Sequence, residues 1–146
     1  MSVRLTQSEG LAAFEDCTTV VLTTFRRDGT PVDTAVHIAL DGDRAFIRSP
    51  ASAWKVRRLR RNPVALIKAS ALSHLPAVIG LLGPGRAIEG VGPRVEVRAR
   101  ILSGAEYAHA AQVLSRKYPL LHGVLIPLGH RLMRTQTINI ELRRVP

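Results

Sequence analysis

Cysteine is nearly missing from these 146 residues: Cys17 stands alone. A single thiol excludes an intrachain disulfide and any cysteine-rich zinc site. Cys17 opens a β-branched run with no histidine near it in sequence, which reads as a buried apolar role and not as a nucleophile. Acidic residues are scarce as well: eleven Asp and Glu stand against twenty-one Lys and Arg, a net charge of +10. Aromatic residues make up only 4% of the chain, which disfavours the stacking platforms of a single-strand nucleic-acid binder. The longest apolar run, Leu75 to Leu82, carries Pro76 and Gly80 and falls far short of the roughly 20 residues that cross a bilayer. The opening MSVRLTQSEG has no hydrophobic signal core. The expectation is a soluble cytoplasmic protein with no membrane partner. G-x-S-x-G, H-E-x-x-H and Walker A motifs are all missing. The five histidines, His37, His74, His109, His122 and His130, are scattered, so no metal site is expected.

What is present is a 46% apolar composition, enough for one domain over residues 1–146 with its own core. Lys55, Lys68 and Lys117 are the only lysines; the other basic residues are arginines. A GC-rich genome would explain that ratio but not the net excess. Such a surface favours anionic partners.

The pattern predicts a short helix over residues 2–16, then strands. Thr18–Phe25 is rich in β-branched residues, and Asp28-Gly29 marks a hairpin turn. Residues 31–40 alternate, with Val32, Thr34, Val36, Ile38 and Leu40 on one face. A second turn at 41–43 leads to a strand at 44–48, which predicts a three-strand antiparallel meander. A helix over 53–61 ends at Asn62-Pro63. Strands follow at 64–69, 94–102 and 137–143, with helices at 105–118 and 120–134 and a long loop over 70–92. About six strands with short flanking helices make a mainly β fold, a small barrel or curled antiparallel sheet.

The distinctive segment is SPASAWKVRRLRRNP, residues 49–63. Five of its eight residues from Trp54 to Arg61 are basic. Unpaired backbone N–H groups at a helix start attract phosphate, and Ser49 and Ser52 precede it. Lys55 in the first turn and Arg58 at i+3 share a face, leaving Arg57, Arg60 and Arg61 toward water. From the residues alone, a solvated basic face and an anion site are equally good readings.

The run VVLTTFRRDGTPVDTAVHIALDGDRAFIRSP, followed by WKVRRLRRNP, resembles the pyridoxamine-phosphate-oxidase-like flavin and deazaflavin proteins. It is most similar to the actinobacterial subgroup of F420-dependent oxidoreductases. The segment RKYPLL at 116–121 and the final strand INIELR add to the likeness. The resemblance implies an FMN-binding split β-barrel, a homodimer with cofactor in a groove between subunits, and cofactor phosphate beside the basic helix. Carried over by position, Lys55 and Arg58 match the phosphate-binding residues. Arg48 and Ser49 would line the same groove, and Thr34 and Val36 would lie under the ring system. Relatives usually have serine where this chain has Ala53; Ser52 is the substitute. The implied activity is hydride transfer between coenzyme F420, or alternatively FMN, and a small organic substrate, which accounts for the missing catalytic triad. The implied catalytic residues stay unassigned; His37 and Tyr118 are candidate proton donors. A non-catalytic cofactor carrier is a second reading. A nucleic-acid module is a third, disfavoured because no reading motif is present.

Overall fold

The computed structural model describes residues 10–73, 88–119 and 136–146. The expected helix over 120–134, most of the 70–92 loop, the first part of the 2–16 helix, and His74, His122 and His130 lie outside the described residues. A 3-10 helix, Gly10–Phe14, opens the described chain. Then come β1 (Thr19–Phe25), β2 (Pro31–His37), β3 (Ala39–Asp41), β4 (Arg44–Pro50), α1 (Trp54–Arg61), β5 (Val64–Ser70), β6 (Gly90–Ile101), α2 (Gly104–Lys117) and β7 (Thr137–Arg144).

All neighbouring strands pair antiparallel, in the order β2-β1-β5-β6-β7-β4-β3. The two outer strands, β2 and β3, are consecutive stretches of one chain segment separated only by Ile38. A sheet whose opposite edges meet at one residue must curl on itself, which makes this a mainly β split barrel, with two flanking α-helices among the described residues.

This corrects the expected three-strand meander. The segment 31–41 changes partner at Ile38: His37 still pairs with Thr19 of β1, but Ala39 pairs with Phe46 of β4. β4 then takes β7, not β2, as its other neighbour. Alternation along 31–40 survives the break, so the sequence pattern looks like one strand.

Inward residues from six strands and from Ile38 fill the barrel: Val20, Leu22, Val36, Ile38, Ala45, Ile47, Ala65, Ile67, Val95, Val97, Ile138, Ile140 and Leu142, closed by Val56 and Leu59 of α1. A second cluster forms on the outer face, where Ala110, Leu114 and Tyr118 of α2 cover Ala39 and Phe46. The inward stripe of α2 runs through Ala110 and Leu114.

The partner switch at Ile38 is held from α2. Tyr118 Oη lies 2.6 Å from the Ile38 carbonyl and 2.9 Å from that of Thr18. Lys117 Nζ donates to the Ile38 carbonyl as well, at 2.9 Å. Burial pushes the Tyr118 phenol far above its usual range, so it remains a hydrogen-bond donor at every working pH. With its proton directed to backbone carbonyls, Tyr118 is not an available proton donor. Tyr118→Phe is expected to lower unfolding free energy by about 1 kcal/mol, since it removes one hydrogen bond to carbonyls that keep a second donor, Lys117 Nζ at Ile38 and the Ile38 N–H at Thr18. Urea denaturation measures this.

The outward face of β7 carries Glu141, only 2% exposed. Arg44, Arg100 and Arg143 all donate to it, at 3.0, 3.2 and 3.0 Å in their closest ion pairs. Arg44 also reaches Asp41, Arg143 reaches Asp43, and Arg100 reaches Glu106 on α2. One carboxylate thus ties together β4, β6 and β7, and through Arg100 the first turn of α2.

Candidate functional site

Helix α1 is short, basic and laid across one end of the barrel. Its apolar residues Val56 and Leu59 sit in the barrel core, while Trp54, Arg57, Arg60 and Arg61 are exposed. Trp54 does not join the apolar stripe: it is 69% exposed, with the Arg57 guanidinium 4.8 Å from its ring centre. Proline at 63 and the extended backbone at Asn62 end the helix. The N-cap is Ala53, which makes no side-chain cap, so first-turn N–H groups keep their partial positive charge for another acceptor.

Two of the predicted residues come together on this helix. Lys55 is half-buried, and burial, then the neighbouring Arg58 charge, hold its ammonium below the ordinary lysine range. It has no hydrogen bond or ion pair among the described residues. Arg58 donates from Nε to Thr24 Oγ1 at 2.6 Å. Burial, then Arg26 and Arg61, lower its pKa too. A half-buried cation without an anion is unfavourable, and binding one removes that penalty.

The remaining predicted residues distribute differently. On β2, Val32, Thr34 and Val36 face inward in a row. Val36 is 6% exposed and packs in the core, Thr34 is half-buried opposite Leu22, and Val32 lines the surface cleft beside α1. Arg48 and Ser49 point to opposite faces of β4, as adjacent strand residues must. Arg48 lies on the outer face, donating to Asn139 Oδ1 at 3.1 Å, with burial lowering its pKa. Ser49 is inside, 1% exposed, donating to the Pro50 carbonyl at 3.0 Å. The described chain does not bring Arg48 and Ser49 onto one groove wall. Ser52 is exposed just before α1.

Sequence reasoning overlooked the partners of α1 across the cleft. The β1–β2 turn is tightened by Arg26 and Thr30 and by Gly29 at φ +89°. It presents Arg26 and Arg27 toward Arg57, Arg58, Arg60 and Arg61 around an open cleft of about 1110 Å³. Trp54 and Val32 complete the lining. The adjacent arginines just before Asp-Gly were the visible signal. Among the described residues, no group of three or more histidine, cysteine or carboxylate side chains is arranged to hold a metal, and no described helix is long and apolar enough to cross a membrane.

A curled antiparallel sheet with a basic helix across one end defines a split barrel. The chain belongs to the pyridoxamine 5'-phosphate oxidase family, whose profile matches residues 7–145. No curated protein matches the sequence significantly. Among solved structures, a candidate pyridoxamine 5'-phosphate oxidase from Listeria innocua is 16% identical, covering 93% of this chain and 90% of its own, with a TM-score of 0.59. A haem storage protein from Vibrio cholerae is 12% identical over 93% and 88%, with a TM-score of 0.65. A protein described as an F420 reductase is 17% identical over 94% of both chains, with a TM-score of 0.51. At these identities the likeness is one of fold.

Proposed function

We propose that this protein is an oxidoreductase that transfers hydride between bound coenzyme F420 and a small organic substrate, with FMN as the alternative cofactor. The observation that carries this reading is Lys55: a half-buried ammonium with no anion among the described residues, beside Arg58, in the first turn of a helix without a side-chain cap. The donor set fits the phosphate or phosphodiester of either cofactor, because it consists of cations and N–H groups with no competing carboxylate. When bound, such a cofactor supplies the hydride chemistry.

This chain's own residues bind and orient. Lys55 and Arg58 hold the phosphate, with Ser52 as a neighbouring hydroxyl donor. Thr34 lies between the Val36 core and the surface end of β2, where it can meet the edge of a ring. Val36 supports that position from within the barrel. Ser49 and Arg48 set the path of the chain into α1 from the two faces of β4. The proposal includes a single cofactor-binding domain and a homodimer with the cofactor between subunits, the latter checked by light scattering.

Stopped-flow mixing tests the activity. Protein loaded with reduced coenzyme is mixed with quinone, enone or nitro acceptors. The expected result is a return of the oxidised coenzyme's absorbance well above the rate without protein. Tight binding with no acceleration across the acceptors would make the protein a carrier and overturn the enzymatic reading.

A further inference from the structure

The arginine cleft has more charge and more room than one phosphate uses, and it lies on a different side of α1 from Lys55. At 100° per residue, Trp54, Arg57 and Arg61 centre on one helix face, with Arg58 at its edge; Lys55 lies beyond that edge. Lys55 is not among the residues that line the cleft.

The charges around this opening are not neutralised in the way those elsewhere are. The ion pairs among β3, β4, β6, β7, the β3–β4 turn and α2 join Arg44, Arg100, Arg143 and His109 to Asp41, Asp43, Glu106 and Glu141. Arg26, Arg27, Arg57, Arg60 and Arg61 have no ion pair among the described residues. The carboxylate nearest to them in sequence, Asp28, accepts the Thr30 N–H at 3.0 Å. These five guanidiniums around one opening repel each other unless an anion joins them. Their planar forks suit phosphate oxygens, two N–H donors at a time.

Trp54 adds a second, independent feature. It is the chain's only tryptophan, and it stands 69% exposed at the rim of this cleft. Arg57 lies over the ring at 4.8 Å, and most of the indole remains open to solvent. A large exposed aromatic surface beside clustered arginines is the arrangement that stacks a base while holding its phosphates. The cleft volume of about 1110 Å³ lies just above the usual range of small-molecule sites, roughly 300–1000 Å³.

We infer that the Arg26–Arg27 turn and the exposed face of the Trp54–Arg61 helix form a second binding site for a nucleotide unit, its base stacked on Trp54 and its phosphates held by Arg26, Arg27, Arg57, Arg60 and Arg61. The unit is supplied either by a free nucleoside polyphosphate or by an exposed nucleotide of a single strand. Trp54 fluorescence and calorimetry on the full chain read its occupancy, with ATP, inorganic tripolyphosphate and a short oligoadenylate as probes. The expected result is saturable quenching by ATP, with ATP binding at least fivefold tighter than tripolyphosphate. Arg57→Glu and Arg60→Glu, both at exposed positions, weaken it at least tenfold. Arg116→Ala, an exposed charge on α2, changes it less than twofold. Oligoadenylate binding more than tenfold tighter than ATP identifies a nucleic acid as the source; a smaller ratio identifies the free nucleotide. Tripolyphosphate binding as tightly as ATP, absent quenching, equal sensitivity to Arg116→Ala, or competitive displacement of ATP by coenzyme F420 would each overturn the inference.

Discussion

Replacing Lys55 with methionine will weaken binding of coenzyme F420 about 10- to 100-fold while making the free protein more stable. Both effects come from the same charge. In the free protein the ammonium is half-buried without an anion, and burial already lowers its pKa. Methionine has a similar length and no charge to desolvate, so unfolding free energy rises by about 1 kcal/mol. On the ligand side, a charge-assisted hydrogen bond to phosphate is worth about 1.5–3 kcal/mol, and each 1.4 kcal/mol is about tenfold in affinity. A residue that merely packs would lose stability and leave affinity unchanged. The pH dependence has a fixed sign. Because the folded-state pKa is depressed, wild-type affinity falls on the alkaline side, starting below the pH at which a free lysine deprotonates. Lys55→Met loses that alkaline limb. Equilibrium titration and thermal unfolding of both proteins, at several pH values, measure all three outcomes.

The second large effect is on stability. Glu141→Gln will cost about 2–3 kcal/mol, a fall in melting temperature on the order of 10 °C for a chain of this length. Burial alone would raise the Glu141 pKa, but hydrogen bonds from Arg100, Arg44 and Arg143 outweigh it and hold the carboxyl below its usual range. Glutamine keeps the shape and leaves three guanidiniums without their shared counter-charge. The arginines are partly exposed, so water recovers part of the loss and the cost stays below that of a fully buried pair. A depressed carboxylate pKa stabilises the fold above the ordinary glutamate value. Wild-type stability therefore declines as pH falls through the lowered pKa, and Glu141→Gln flattens that acid limb. Calorimetry from pH 7 down to the acid transition tests it.

The barrel strands were legible because each alternates cleanly: Ile138, Ile140 and Leu142, or Val95 and Val97, announce one buried face. Their neighbours were harder to read. The chain change of partner at Ile38 leaves the period of two intact, so hydrophobic alternation carries no mark of it. Glu141 looked like an ordinary charge inside INIELR, because its partners Arg44 and Arg100 lie 97 and 41 residues away. The same network accounts for Arg100 and Arg143. Arg144 lies over Gly10, where a Cβ would meet its Cδ at 2.9 Å.

The site was half legible. Helical spacing put Lys55 and Arg58 on neighbouring positions, and the structure keeps them there. Strand alternation, applied strictly, already separated Arg48 from Ser49, which the family resemblance had implied to line one groove. The facing arginines of the β1–β2 turn were out of reach, since pairing a hairpin tip with a helix nearly thirty residues later is decided by how the barrel closes.

The central claim is that the basic helix anchors an anionic ring cofactor. A side-by-side equilibrium titration of the full chain with coenzyme F420 and with FMN tests it most directly. The expected result is saturable, micromolar or tighter binding, with F420 the tighter of the two. Folded protein that binds neither cofactor would contradict it.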